Sequence, residues 1–190
     1  MALHPQLRGT YLAMSSRLFD ADDDLKRGDD GWAGRSKDPP VGVMGDGSAQ
    51  QMCAASIIRS TGLVRLRTVR VQHIIQSYGM VFESQDGWKL VYSGDTRPCQ
   101  RLIEAGRGAR VLIHEATFEA GAEAEAKARA HSTVEEALRV GRDMGAYRTI
   151  LTHFSQRYPG VPALPTHAPE TLQSAILAFD FMHLSFADLE

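Results

Sequence analysis

At 190 residues, with 43% hydrophobic and 23% charged side chains and a formal net charge of −2, the chain has the composition of a globular protein built round one core. The near-balanced charge excludes a general electrostatic affinity for nucleic acid, and the longest apolar runs fall far short of the roughly 20 residues of a membrane-spanning helix. Two cysteines, Cys53 and Cys99, without CxxC spacing, exclude a disulfide framework or a thiolate zinc site and suit a reducing compartment.

Met1 to Phe19 carries Arg8 and Arg17, serines and no acids, a composition shared with mitochondrial presequences. Leu12, Met14 and Leu18 build no strong amphipathic stripe, however, and the better reading is a start inside a larger domain. From Phe19 to Gly47 the chain turns acidic and then rich in Gly, Pro and Asp, so residues 1–47 are expected to be irregular and partly disordered. The adjacent Asp22, Asp23 and Asp24 read as a solvated face, because neighbouring acids on an extended chain do not converge on one ion. Residues 48–190 are expected to form the folded domain.

Ser48 is placed to cap a helix running through Met52, Ala55, Ile57 and Ile58 to a stop near Gly62. Val64 to Val71 then alternates apolar and basic residues and reaches His73, the pattern of a half-buried strand with a polar group at its end. Arg65, Arg67 and Arg70 are read as one basic strand face that is able to touch phosphates, although a solvated strand is the plainer reading. Tyr78 to Ser84 and Trp88 to Ser93 predict two strands joined by an Asp86-Gly87 hairpin turn. A helix opened by Pro98 and continuing through Leu102 to Ala105 leads to a short buried strand, Arg110 to His114.

Glu119 to Ala130 favours helix but has no apolar stripe, which puts it on the surface. Ser132 or Thr133 caps an amphipathic helix with Glu135 and Glu136 in its first turn and an end near Gly145. Tyr147 to His153 is the next strand. Prolines at 159, 162, 165 and 169 enforce a loop, followed by a helix over Glu170 to Ala178 and a closing strand over Phe181 to Phe186. The sum is an α/β domain with a mixed sheet, helices packed on its face and polar residues at strand ends, where α/β folds place ligand sites.

His73, Asp95 and His153 each close or follow a strand. An imidazole offers one nitrogen to a metal and a carboxylate has two oxygens able to bridge two cations, so this set suits a dinuclear hydrolytic centre. Each also has a structural alternative: a hydrogen-bonded strand-end histidine, or a turn aspartate capping its own backbone. His114-Glu115 and His131 form a second layer, in which a carboxylate beside an imidazole can orient it and pass a proton.

The pieces QHIIQSYG, GWKLVYSGDTRPC, LIHEATFE, HST and LTHFSQRYPGVP, spread from Val69 to Tyr158, resemble the C-terminal half of ribonuclease Z (tRNase Z), in its long eukaryotic form. This resemblance implies half or more of a metallo-β-lactamase αββα sandwich and a zinc-dependent endoribonuclease that trims the 3′ end of precursor tRNA. It implies two zinc ions, with His73 on one, His153 on the other and Asp95 between them, and Glu115 and His131 in the proton relay to the leaving ribose oxygen. It also implies a nuclear or mitochondrial location, otherwise cytoplasmic. The family's His-x-His-x-Asp-His segment has no counterpart among the seven histidines at 4, 73, 114, 131, 153, 167 and 183. The expectation is therefore a truncated or fragmentary form, with an exposed sheet that pairs with another chain. The alternatives are a non-catalytic module working only with another chain, and a different metallo-β-lactamase-fold hydrolase.

Overall fold

The computed structural model describes residues 61–74, 77–158, 160, 162, 164 and 174–189. The irregular segment expected over 1–47 and most of the helix expected from Ser48 lie outside the described residues. Six strands form one sheet in sequential order: β1 (Leu63–Arg70), β2 (Tyr78–Ser84), β3 (Lys89–Tyr92), β4 (Val111–Glu115), β5 (Arg148–Thr152) and β6 (Ala175–Leu177). The first two pairings are antiparallel and the last three parallel. β1, β3, β4, β5 and β6 therefore run in one direction and end on the same edge of the sheet.

Helices α1 (Gln100–Gly106) and α3 (Val134–Met144) occupy the β3–β4 and β4–β5 crossovers. Parallel crossovers keep one hand, so two successive ones that advance in the same direction lie on the same face. That face is dry: Leu102, Val140 and Met144 from the helices pack with Val81, Val91 and Leu112 from the strands, and Leu138 packs with Leu151. Gly141 lets α3 sit directly on β5, since a Cβ there would come within 2.1 Å of Thr149 Oγ1. Thr133, rather than Ser132, is the N-cap of α3; it forms a reciprocal capping box with Glu136, and Gly145 ends the helix at φ 70°. The short α2 (Glu123–Ala128) buries only Ala126, which fits the surface position expected from its composition.

The opposite face carries Leu66, Met80, Phe82, Leu90, Tyr92, Ile113, Ile150 and Ile176 in register. Its β4–β6 part packs against Leu184 and Leu189 of the C-terminal segment, whereas Tyr92 is 41% exposed.

Three expectations need correction. Ala175–Leu177 is a strand paired in parallel with β5, not part of a helix over 170–178. A short apolar run has no decisive period, and the open edge of β5 decides its conformation. The closing strand over 181–186 is replaced by a turn, in which Phe181 has φ 65°, and a 3-10 turn at Phe186–Leu189. Arg65, Arg67 and Arg70 do not share a face: Arg67 lies on the helix side, where Nη2 donates to Ala105 O at 2.8 Å, and the period of two puts Arg70 on the other side.

Candidate metal centre

The common edge of the parallel strands gathers all five residues singled out from the sequence. His73 lies in the loop after β1, Asp95 follows β3, Glu115 ends β4, and His153 follows β5. His131 comes from the loop before α3, and its ring sits between the other two imidazoles, 4.7 Å from that of His73 and 5.6 Å from that of His153.

The outer layer is Asp95 with two histidines. Its Oδ2 lies 4.0 Å from His73 Nε2 and its Oδ1 lies 3.8 Å from His153 Nε2. These gaps are too long for hydrogen bonds. They are close to the separation of about 3.3–3.6 Å between two ligands that each lie about 2.0–2.2 Å from a tetrahedral zinc. Each carboxylate oxygen thus faces a different imidazole, as a bridging ligand requires.

Which ring nitrogens carry lone pairs follows from the bonds behind them. His73 Nδ1 lies 2.9 Å from Ala130 O; a carbonyl only accepts, so Nδ1 holds the proton and Nε2 is free to ligate. His153 Nδ1 is engaged by Thr117 Oγ1 at 2.8 Å. Two non-glycine residues here have left-handed backbone, Ala130 (φ 58°) and His153 (φ 62°). Such conformations cost about 1–3 kcal/mol each and persist where the surroundings fix them. One presents the carbonyl that orients His73, and the other turns the His153 side chain back toward Asp95.

The inner layer is built round Glu115, 2% exposed. Its Oε1 accepts from Thr96 N (2.7 Å) and His131 Nδ1 (2.7 Å), and its Oε2 from Thr117 Oγ1 (2.6 Å), Thr117 N (3.2 Å) and Ser132 N (3.2 Å). Arg97 ties the two loops together: its guanidinium grips Glu136 through both nitrogens and donates to His131 O at 2.7 Å. Ser132 Oγ donates to Thr96 O at 2.6 Å. Gly94 turns the chain into this loop at φ 60°, where a Cβ would come within 2.8 Å of Tyr78 O. His114 is fully buried beside Glu115; its Nδ1 donates to Glu115 O at 2.7 Å and its Nε2 has no partner among the described residues. Burial lowers its pKa, against the opposing pull of the Glu115 carbonyl and the Glu115 and Glu136 carboxylates.

Thr96, Arg97, Thr117 and Ser132 were not singled out as candidates, although all four lie inside the quoted motif runs. Their signal was position within GDTRP, HEAT and HST; their roles depend on partners 14 to 39 residues away. The nitrogen and oxygen donors fit zinc, and two overlapping triplets, His73–Asp95–His131 and Glu115–His131–His153, each bring one donor atom per residue within 4.8 Å of one another. The two Asp95 oxygens and the two Nε2 atoms would supply two donors to each of two ions, so two four-coordinate ions would need further ligands.

Residues 45–154 match the beta-lactamase superfamily domain. The chain is 44% identical over 143 residues to "tRNAse Z TRZ4, mitochondrial" of Arabidopsis thaliana, covering 70% of this chain and 15% of that protein. It is 44% identical over 138 residues to "Ribonuclease Z, mitochondrial" of Drosophila melanogaster, covering 70% and 18%. A crystal structure of a long-form RNase Z from yeast superposes with a TM-score of 0.65 at 30% identity, covering 75% of this chain and 20% of that one. The chain therefore spans less than a fifth of the length of these curated relatives, and the family match takes in β1 to β5 and every strand-end residue described above. This chain belongs to the beta-lactamase superfamily, and its relatives within it are tRNase Z proteins.

Proposed function

We propose that this chain supplies the C-terminal part of a zinc-dependent endoribonuclease site that processes the 3′ end of precursor tRNA. His73, Asp95 and His153 would hold the zinc, with Asp95 shared between the two sides, and the remaining ligands would come from outside this sequence, which contains no His-x-His-x-Asp-His segment. The observation that carries the reading is the Asp95 carboxylate, with one oxygen directed at each of two imidazoles whose Nδ1 atoms are already engaged. When bound, zinc would supply an activated hydroxide and neutralise charge growing on the phosphate.

This chain's own residues would then orient the centre and move the proton. Glu115 holds His131 by Nδ1, so that the His131 ring can hand a proton to the leaving ribose oxygen. The buried ring of N–H donors keeps Glu115 in place while it does so. Precursor tRNA is the substrate of the proposed site, and a mitochondrial location follows the names of the two relatives. Residues 48–190 act as the functional domain in this reading.

The apolar sheet face with its exposed Tyr92 supports a second reading, in which the chain works only when paired with another. The test is zinc content and cleavage of a 3′-extended tRNA by the purified chain, alone and mixed with a polypeptide carrying the His-x-His-x-Asp-His segment. Cleavage by the mixture alone supports pairing, and cleavage by the chain alone supports an autonomous site. No zinc and no cleavage in either case rules out the catalytic reading. Asp95→Ala retaining full activity would overturn the ligand assignment.

A further inference from the structure

Thr117 closes the HEAT run, and its hydroxyl lies within 3.3 Å of three of the five site residues. Oγ1 is 2.6 Å from Glu115 Oε2, 2.8 Å from His153 Nδ1 and 3.3 Å from His131 Nδ1. A hydroxyl has one proton and two lone pairs. The proton is already committed, because the backbone N–H groups of Thr96, Thr117 and Ser132 point at Glu115 and leave its carboxylate accepting. Thr117 can therefore offer His153 only a lone pair, so the His153 proton must sit on Nδ1 and the lone pair on Nε2, the atom facing Asp95 Oδ1.

The three imidazoles are held in different ways. His73 is fixed by a main-chain carbonyl and His131 by the Glu115 carboxylate directly. The His153 side chain is 51% exposed, and the Thr117 hydroxyl is the hydrogen-bond partner that the described residues give its Nδ1. We infer that Thr117 is a positioning residue that sets the tautomer of His153 and ties that ring to the buried Glu115. One carboxylate then orders two imidazoles, His131 by contact and His153 through a hydroxyl. The tautomer claim stands on hydrogen bonding alone; its consequence for metal rests on the zinc-site reading proposed above.

The experiment is nitrogen-15 NMR of the histidine rings in the full metal-free chain, at a pH where the imidazoles are neutral. In the unsubstituted chain His153 is expected with its proton on Nδ1. Thr117→Val keeps the shape and removes the hydroxyl, and should move the His153 proton largely to Nε2 while His73 stays unchanged. Thr117→Ser should restore the original form. A proton on His153 Nε2 in the unsubstituted chain overturns the inference even if the valine variant does not fold, as does an unchanged His153 in a folded Thr117→Val chain. Titration with zinc alone, followed by calorimetry, is the second arm: Thr117→Val should weaken binding about 10–100-fold and Thr117→Ser should recover it. If no zinc is taken up even when the chain is mixed with a polypeptide carrying the His-x-His-x-Asp-His segment, but the tautomer shift occurs, the zinc reading fails and the positioning role of Thr117 stands.

Discussion

The inner and outer layers of the site are built to different standards. Glu115 is buried and accepts five hydrogen bonds from four residues of this chain, whereas Asp95 is 40% exposed and stands 3.8 and 4.0 Å from its nearest imidazole nitrogens. The inner layer is held by protein alone: the Glu115 carboxylate has its donors, and the buried His114 Nε2 is left without a partner among the described residues. The outer layer is oriented but not joined, and its ligating atoms face one another across gaps of metal size. Folding energy is thus concentrated in the layer that positions, and binding capacity in the layer that is left open.

The largest expected effect comes from breaking the inner layer. Glu115→Ala leaves Thr96 N, Ser132 N and His131 Nδ1 without their acceptor and should destabilise the chain by about 3–5 kcal/mol, read by urea unfolding. A loss under 1 kcal/mol would show that water replaces the carboxylate and that the inner layer is not the stabilising one.

Acid tests the same layer through His114. Its ring is neutral in the fold, with its pKa lowered mainly by burial, and among the described residues Nε2 has no partner to share a charge. The unfolded chain therefore binds more protons below an ordinary histidine pKa of about 6.5, and stability falls as pH drops through that value. The contribution is fully present above about pH 6.5, and the slope from one proton is at most about 1.4 kcal/mol per pH unit. In His114→Phe the slope due to this group should vanish between about pH 6.5 and the onset of carboxylate titration near pH 4–5. An unchanged acid limb would assign the sensitivity elsewhere.

The two layers were also unequally legible in the sequence. His73, Asp95 and His153 stand out because each follows an alternating or apolar run, and parallel strands that end together bring such positions together. Thr96, Arg97, Thr117 and Ser132 carry no periodic signal, and their partners come from distant parts of the chain, as in the Arg97–Glu136 pair 39 residues apart. β2 was readable to the residue because a hairpin turn and a period of two fix both its ends. β6 was not, since a three-residue parallel strand is defined by the edge of β5 rather than by its own composition. The face of Arg70 was legible but miscounted: a period of two separates it from Arg65 and Arg67.

A smaller effect is expected where the inner layer rests on α3. Thr133 caps that helix and begins the turn just after His131, and its Oγ1 accepts from Glu136 N at 3.2 Å. Thr133→Ala should cost about 1 kcal/mol of stability. The main-chain N–H of residue 133, which donates to Glu136 Oε2, is kept in that variant, so the carboxylate that Arg97 grips should stay in place. Thr133→Ser should recover most of the loss, and its failure to do so would point to packing of the lost methyl rather than capping.

The smallest stability effect sharpens the contrast most. Asp95→Asn keeps the size of the side chain and removes its charge at a position where the carboxylate makes no hydrogen bond short enough to count with either imidazole. Its unfolding free energy should stay within about 0.5 kcal/mol of the parent chain, because nothing buried loses a partner. The same substitution takes away the oxygen pair that faces His73 and His153, so zinc uptake should fall sharply in equilibrium dialysis. The pairing of those results is what matters. If Asp95→Asn cost as much stability as Glu115→Ala, Asp95 would be a structural strut and the open gaps would have no binding meaning. A folded, equally stable chain that no longer takes up zinc would show that Asp95 is held in place for a ligand and not for the fold.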